Sequence, residues 1–238
     1  MKLCLAGTCS RNFLKDVVNT SDFILESFYY FQDWQKPYIK SKRLFLLDSG
    51  AFTFMNNNKE DCDYNQYLNK YIEFINKTDT KYFFELDIDS VVGYETVLKM
   101  RHKLESETGK KCIPVFHKSR GLQEWINMCK EYDYVAIGTI HEYKKNEHII
   151  KELLKIAKLH NTKVHGLGFT VSNVNEYDFY SVDSTSWLSG ARHGTIYQFT
   201  GTEIATHKKK NCRTIHYKTV DRHNLKEWIK YQKYLENL

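Results

Sequence analysis

Short apolar and β-branched runs recur along the chain, each ending in small or polar residues. Residues 2–7, 43–48, 82–88, 112–117, 134–138, 163–169, 179–183 and 195–199 read as strands. Between them, apolar positions three and four apart predict helices near 63–76, 94–107, 121–131 and 146–159. In the last of these, Ile149, Ile150, Leu153, Leu154, Ile156, Ala157 and Leu159 form a broad apolar face. Nearly continuous apolar strands alternating with helices imply an α/β fold, a parallel sheet covered by helices. Eight strands point to a closed (β/α)8 barrel of the TIM type, for which 238 residues is at the small end. An open doubly wound sheet is the alternative. A final helix is predicted over 221–238, with Leu225, Trp228, Ile229 and Leu235 on one side and lysines on the other. The aromatic cluster Phe28, Tyr29, Tyr30 and Phe31 with Trp34 reads as a further helix packed on the barrel.

Composition narrows the class. With 42% hydrophobic and 27% charged residues the chain is an ordinary globular one. It has only two prolines and no Gly/Ser linker or repeat, so residues 1–238 are expected to form one domain. No apolar run approaches the length of a membrane span, and the start, Met1 to Gly7, is too short and too soon polar for a signal peptide. Six cysteines stand singly, with no CxxC, which suits reduced thiols and a cytoplasmic setting better than disulfides or zinc. The net charge of +6 is unevenly placed. From Thr206 onward there are nine Lys or Arg and three Asp or Glu, so residues 1–205 are neutral overall. A neutral body with a basic segment over 206–238 suits a polyanion partner, though a solvated surface helix explains the charge as well.

Polar residues collect at the predicted strand ends: Asp48-Ser49-Gly50-Ala51-Phe52, Glu85-Leu86-Asp87-Ile88-Asp89, His117, Gly138-Thr139, His165-Gly166-Leu167-Gly168 and Ser181-Val182-Asp183-Ser184. In a parallel barrel all C-terminal strand ends meet at one mouth, so Asp48, Asp87, His117 and Asp183 are expected to face one another. Alternation places Glu85, Asp87 and Asp89 on one face, and carboxylates are costly to bury unless paired or used. Two converging carboxylates suit glycosyl chemistry, one as nucleophile and one as acid or base. Asp48, Asp87, Asp89 and a histidine equally suit a site for Mg²⁺ or Mn²⁺.

The Asp48-Ser49-Gly50-Ala51-Phe52 run resembles the DSGGF/Y-type signature of the tRNA-guanine transglycosylase superfamily, whose members are (β/α)8 barrels. Leu86-Asp87, Pro114-Val115-Phe116-His117, Ala136-Ile137-Gly138, His165-Gly166-Leu167-Gly168 and Asp183 follow in the family's order, so the resemblance spans about residues 43–195. Ser181 to Gly194 is most similar to the phage and bacterial branch that exchanges guanine in DNA for 7-deazaguanines. The resemblance implies an enzyme that works without a cofactor or metal. In it Asp183 would be the nucleophile at the sugar C1′ and Asp48 the acid or base serving the departing and incoming bases. Ser49, Phe52, Asp87, His117 and Gly138 would bind the base, with Phe52 stacking on it and Gly138 presenting backbone groups.

Two departures bear on substrate. His117 stands where the family has glutamine. The Cys-x-Cys-x₂-Cys…His zinc site of the tRNA enzymes is missing, since Cys212 and His216 are too few for a structural zinc. DNA is therefore the expected partner, in the cytoplasm of the host if a phage encodes the chain. The alternatives are a minimal tRNA transglycosylase and a barrel that binds nucleic acid or a deazapurine without turning it over. Arg192, Lys208, Lys209 and Lys210 are the candidate phosphate contacts, with Arg192 equally readable as a helix-end cation. Trp187 reads as core packing before a stacking platform.

Overall fold

The computed structural model describes residues 1–51, 53–54, 63–138, 147–171, 173–208 and 216–238. Its centre is a seven-stranded sheet of β1 (Lys2–Ala6), β2 (Phe23–Ser27), β3 (Leu44–Asp48), β4 (Val115–Phe116), β5 (Tyr134–Ile137), β6 (Lys163–Gly166) and β7 (Ser181–Ser184). The order is β3-β2-β1-β7-β6-β5-β4, and every neighbouring pair is parallel. Beyond the two edges lie two parallel bridges, Leu47 with Phe83 and Phe84 with Ile113. The Leu47 amide donates to Tyr82 O (3.0 Å) and the Ile113 amide to Phe83 O (2.8 Å). Residues 82–85 thus lie between β3 and the stretch leading into β4, so the sheet is curled rather than flat.

Curling separates two apolar layers. Cys4, Ala6, Phe23, Leu25, Leu44, Leu46, Phe84, Ile113, Val115, Tyr134 and Ala136 form one buried cluster. They come from alternate positions of strands across the whole sheet, and only a concave face brings all of them together. The intervening positions, such as Leu3, Leu5, Ile24, Leu47, Val135 and Val182, pack outward into a larger cluster shared with the helices.

Five helices of ten or more residues are described: α1 (Tyr64–Thr78), α2 (Tyr94–Thr108), α3 (Leu122–Glu131), α4 (Glu147–Leu159) and α5 (Tyr217–Glu236). Their start positions follow local chemistry. The Asp63 carboxylate accepts from the Gln66 amide (2.9 Å) to cap α1, which buries Tyr67, Leu68, Tyr71, Ile72 and Ile75 at helical spacing. On α4, Ile150, Leu153, Leu154 and Ala157 are buried as the pattern predicts, but Leu159, at the helix end, is 82% exposed. Helix α5 buries Leu225, Trp228, Ile229 and Leu235. It is also tied down by polar groups. The Gln232 amide donates to Leu3 O (2.7 Å) and Phe23 O (2.9 Å), and Asn224 donates to Thr195 O (3.0 Å) while accepting from Tyr197 N (2.9 Å).

Three expectations are corrected. Residues 195–199 are not a strand of the parallel sheet; β8 (Thr195–Phe199) pairs antiparallel with β9 (Ile204–Lys208) in a separate hairpin. Strand β7 already pairs with β1 from Lys2↔Ser181 to Leu5↔Ser184, which leaves no edge between them for another strand. The strand of the parallel sheet missed in the pattern is β2, whose short apolar run stops at the buried Glu26, and β9 of the hairpin is likewise absent from the pattern. The aromatic cluster after it is two short 3₁₀ turns, Phe28–Tyr30 and Asp33–Gln35, not a helix; Phe28 and Phe31 pack on Phe74 of α1. Among the described residues no helix is long and apolar enough to cross a membrane, and Cys4, Cys9, Cys112 and Cys129 are free thiols.

Candidate active site

Because all the strands of the curled sheet run parallel, their C-terminal ends share one rim, and the polar strand-end residues gather there. Asp48 is the last residue of β3. Its Oδ2 accepts from the Gly50 amide (2.9 Å), a short turn that keeps the carboxyl folded against its own strand end. Burial pushes the Asp48 carboxyl up to about 6, the Gly50 hydrogen bond opposes this, and the charges of Asp183 and Asp87 add to it. Asp183 and Asp87 therefore each lie within electrostatic reach of Asp48. Ser49 beside it is buried, and its carbonyl accepts from the Tyr67 hydroxyl (2.5 Å). Phe52 lies outside the described residues.

Asp183 occupies the third position of β7 and is buried. Two groups meet on its Oδ1: the Gly168 amide donates to it at 2.7 Å, and the His165 ring lies 3.2 Å from it through Nε2. Gly168 has φ +64, the left-handed region that turns its N–H back toward β7 and that a side chain would strain. Behind Asp183, His165 is fully buried, and its Nδ1 lies 2.6 Å from Ser181 Oγ, which in turn lies 2.5 Å from the Tyr134 hydroxyl. The strand-end runs of the sequence include His165 and Ser181 but assign neither a role, and Tyr134 is not among them. The available signal is the alternation that turns His165 on β6, and Ser181 and Asp183 on β7, to the concave side.

A second polar group surrounds Asp87. His117, the residue after β4, has Nε2 2.5 Å from Asp87 Oδ1 and 4.0 Å from Asp89 Oδ1. Burial lowers the affinity of His117 for a proton, but the hydrogen bond to Asp87 and the charges of Asp87 and Asp89 outweigh it, so its pKa is raised. Gly138 permits this placement: a Cβ there would come within 2.7 Å of the His117 ring. The Gly138 amide donates to Phe116 O (2.9 Å), so of its backbone groups the N–H is committed to the sheet. Glu85 is fully buried and points away from water after all, held by the Arg101 guanidinium (2.6 Å) and the Val115 amide (2.7 Å). Arg120, missed by sequence, ties the group together. Its side chain is 3% exposed and its guanidinium lies 2.9 Å from Asp89, 3.6 Å from Glu85 and 3.9 Å from Asp87. No spacing rule announces this role, because a 3₁₀ turn (Lys118–Arg120) folds the side chain back onto the acidic segment.

Asp87, Asp89 and His117 offer ligand atoms within 4.8 Å of one another, enough to hold a metal ion by proximity. The neighbouring Arg120 already brings a cation to the same carboxylates. Of the candidate phosphate contacts, Arg192 is exposed in the last turn of the short helix Ser189–His193. Lys208 ends β9 opposite Thr195, while Lys209 and Lys210 lie outside the described residues. Trp187 is core: it is fully buried and its indole donates to Ala6 O (3.0 Å). His216 immediately precedes α5, and Cys212 lies outside the described residues. Compared with protein-family models and with curated proteins, the chain matches none.

Proposed function

We propose that the chain is a base-exchange transglycosylase that replaces guanine in DNA with a 7-deazaguanine. In this reading residues 1–238 form one (β/α)8 barrel, with residues 82–85 as the member that joins its edges. The observation that carries it is the division of labour between two interacting carboxyls: Asp48, raised to about 6, and Asp183, whose Oδ1 accepts from the Gly168 amide with the His165 ring beside it. One suits a proton donor near neutral pH and the other an anionic nucleophile, the split that glycosyl transfer requires. Asp183 attacks C1′ of a deoxyguanosine extruded from the stack, forming a C1′–O bond as the C1′–N9 bond breaks. Asp48 gives its proton to the departing guanine. The incoming deazaguanine then attacks C1′, releases the Asp183 carboxylate, and returns a proton to Asp48. Asp87, His117 and Ser49 line the base side, and Arg192 and the lysines of 208–210 contact phosphates.

DNA is preferred to tRNA because the sequence carries the phage-like Ser181–Gly194 segment and lacks the zinc-site cysteines. Parallel incubation with DNA and with unmodified tRNA, followed by mass spectrometry of the released nucleosides, tests the choice. A 7-deazaguanosine product in DNA alone is expected; product in tRNA alone would make the chain a minimal tRNA enzyme, and binding of both base and DNA without product would make it a non-catalytic barrel. The Asp87–Asp89–His117 group favours one further reading, a metal-dependent enzyme. Exchange that continues in EDTA is the expected result, and strict dependence on added Mg²⁺ or Mn²⁺ would replace the proposal with that reading.

A further inference from the structure

The buried groups behind Asp183 have a direction that follows from counting hydrogens. The Gly168 amide can only donate, so Asp183 Oδ1 is an acceptor, and the His165 Nε2 beside it must carry a hydrogen. Ser181 Oγ has one hydrogen and sits between His165 Nδ1 and the Tyr134 hydroxyl. Among the described residues the Tyr134 hydroxyl meets Ser181 alone, at a buried position. If Nδ1 donated to Ser181 and Ser181 to Tyr134, the tyrosine hydrogen would be buried without an acceptor, which is costly. The arrangement that satisfies every group runs Tyr134 to Ser181, Ser181 to His165 Nδ1, and His165 Nε2 to Asp183 Oδ1.

We propose that His165 is a positioning residue, held by Ser181 and Tyr134 as the neutral Nε2–H tautomer, that fixes Asp183 by Oδ1 and leaves Oδ2 to attack the sugar. This rests on the proposed role of Asp183 as nucleophile. Two donors on one oxygen stop the carboxylate from rotating, and Oδ2 has no hydrogen-bond partner among the described residues. The geometry also explains why a histidine fills a fully buried strand position flanked by Val164 and Gly166. Ring nitrogens at the two ends of one rigid plane connect β7 to itself, from Ser181 to Asp183, across the width of β6.

The test combines a spectroscopic and a kinetic readout on the full chain. In ¹⁵N NMR of the histidine rings, with assignment by His165→Gln, His165 is expected to show a protonated Nε2 and a bare Nδ1. A doubly protonated ring, or a proton on Nδ1 alone, overturns the proposal. In the guanine-exchange assay His165→Leu is expected to lower kcat roughly 10²-fold with the KM for DNA unchanged. His165→Gln, which keeps an N–H donor, is expected to retain at least about a tenth of the wild-type kcat. Equal losses in two variants that both melt cooperatively, or no loss in either, would overturn it. Absence of exchange in the wild type would defeat the transglycosylase reading instead, and the ring protonation would still decide the tautomer.

Discussion

Burial raises carboxyls in different parts of the molecule, among them Asp48 at the rim, to about 6, and Glu26 on the outer side of β2, to about 7. Glu26 keeps company with neutral groups, accepting from the Thr8 amide (3.2 Å) and hydroxyl, so desolvation dominates. A carboxyl raised in the folded state favours folding while protonated and loses that contribution as pH climbs. For Glu26 the loss spans from its ordinary 4.5 to about 7 and amounts to about 3 kcal/mol. Glu26→Gln should therefore match the wild type near pH 4 and exceed it in urea denaturation at pH 8. Equal stability at pH 8 would show that the carboxyl ionises freely. Asp48→Asn should show the same sign between pH 4 and pH 7 and should also lose the proton donor. In the wild type, exchange should fall as pH rises through about 6, the range in which Asp48 gives up its proton. Residues of this kind were only half legible. The Asp48 and Asp183 positions follow from apolar runs that end in acids, but Glu26, Arg120 and His165 draw their roles from neighbours distant in sequence, such as Thr8 for Glu26.

Helices of this chain were readable from spacing, because each buries one stripe against the sheet. The pattern near 63–76 became α1 over Tyr64–Thr78, and that near 121–131 became α3 over Leu122–Glu131. Strand identity was harder. The run at 195–199 has strand composition, but its half-exposed residues suit a two-stranded hairpin better than a buried parallel sheet. What holds that hairpin is polar as well as apolar. Asn224, fully buried on α5, accepts from the Tyr197 amide and donates to the carbonyls of Thr195 and Trp187 (3.0 and 3.2 Å). Truncation leaves these groups buried without a partner, so Asn224→Ala should cost about 2–4 kcal/mol in a urea melt. A cost below about 0.5 kcal/mol would mean that the hairpin does not depend on α5.

At the scale of the molecule, one-sided charge and a shared rim are the features that connect fold to partner. All of the formal net charge arises from residue 206 onward, and β9 carries the chain into that segment at Lys208. Replacing Lys208, Lys209 and Lys210 together by alanine should weaken DNA binding and flatten the slope of log affinity against log salt by about 2–3. Exchange at saturating DNA should survive. Unchanged affinity and slope would assign the lysines to a solvated linker. Parallel topology was legible from the alternation of elements, but the number of strands in the sheet and their partners were not. Composition cannot say whether an eighth apolar run pairs with β1 or turns away, since that depends on which edges remain open.

The most direct test is incorporation of labelled guanine into DNA in the presence of EDTA, comparing the wild type with Asp183→Asn. The wild type should label DNA, and the variant should bind DNA with nearly the same affinity yet incorporate nothing, because its lost oxygen acts on the sugar and not on phosphate. A wild type that incorporates no label, or an Asp183→Asn variant that exchanges as fast as the wild type, would contradict the assignment of Asp183 as the nucleophile of a base-exchange enzyme.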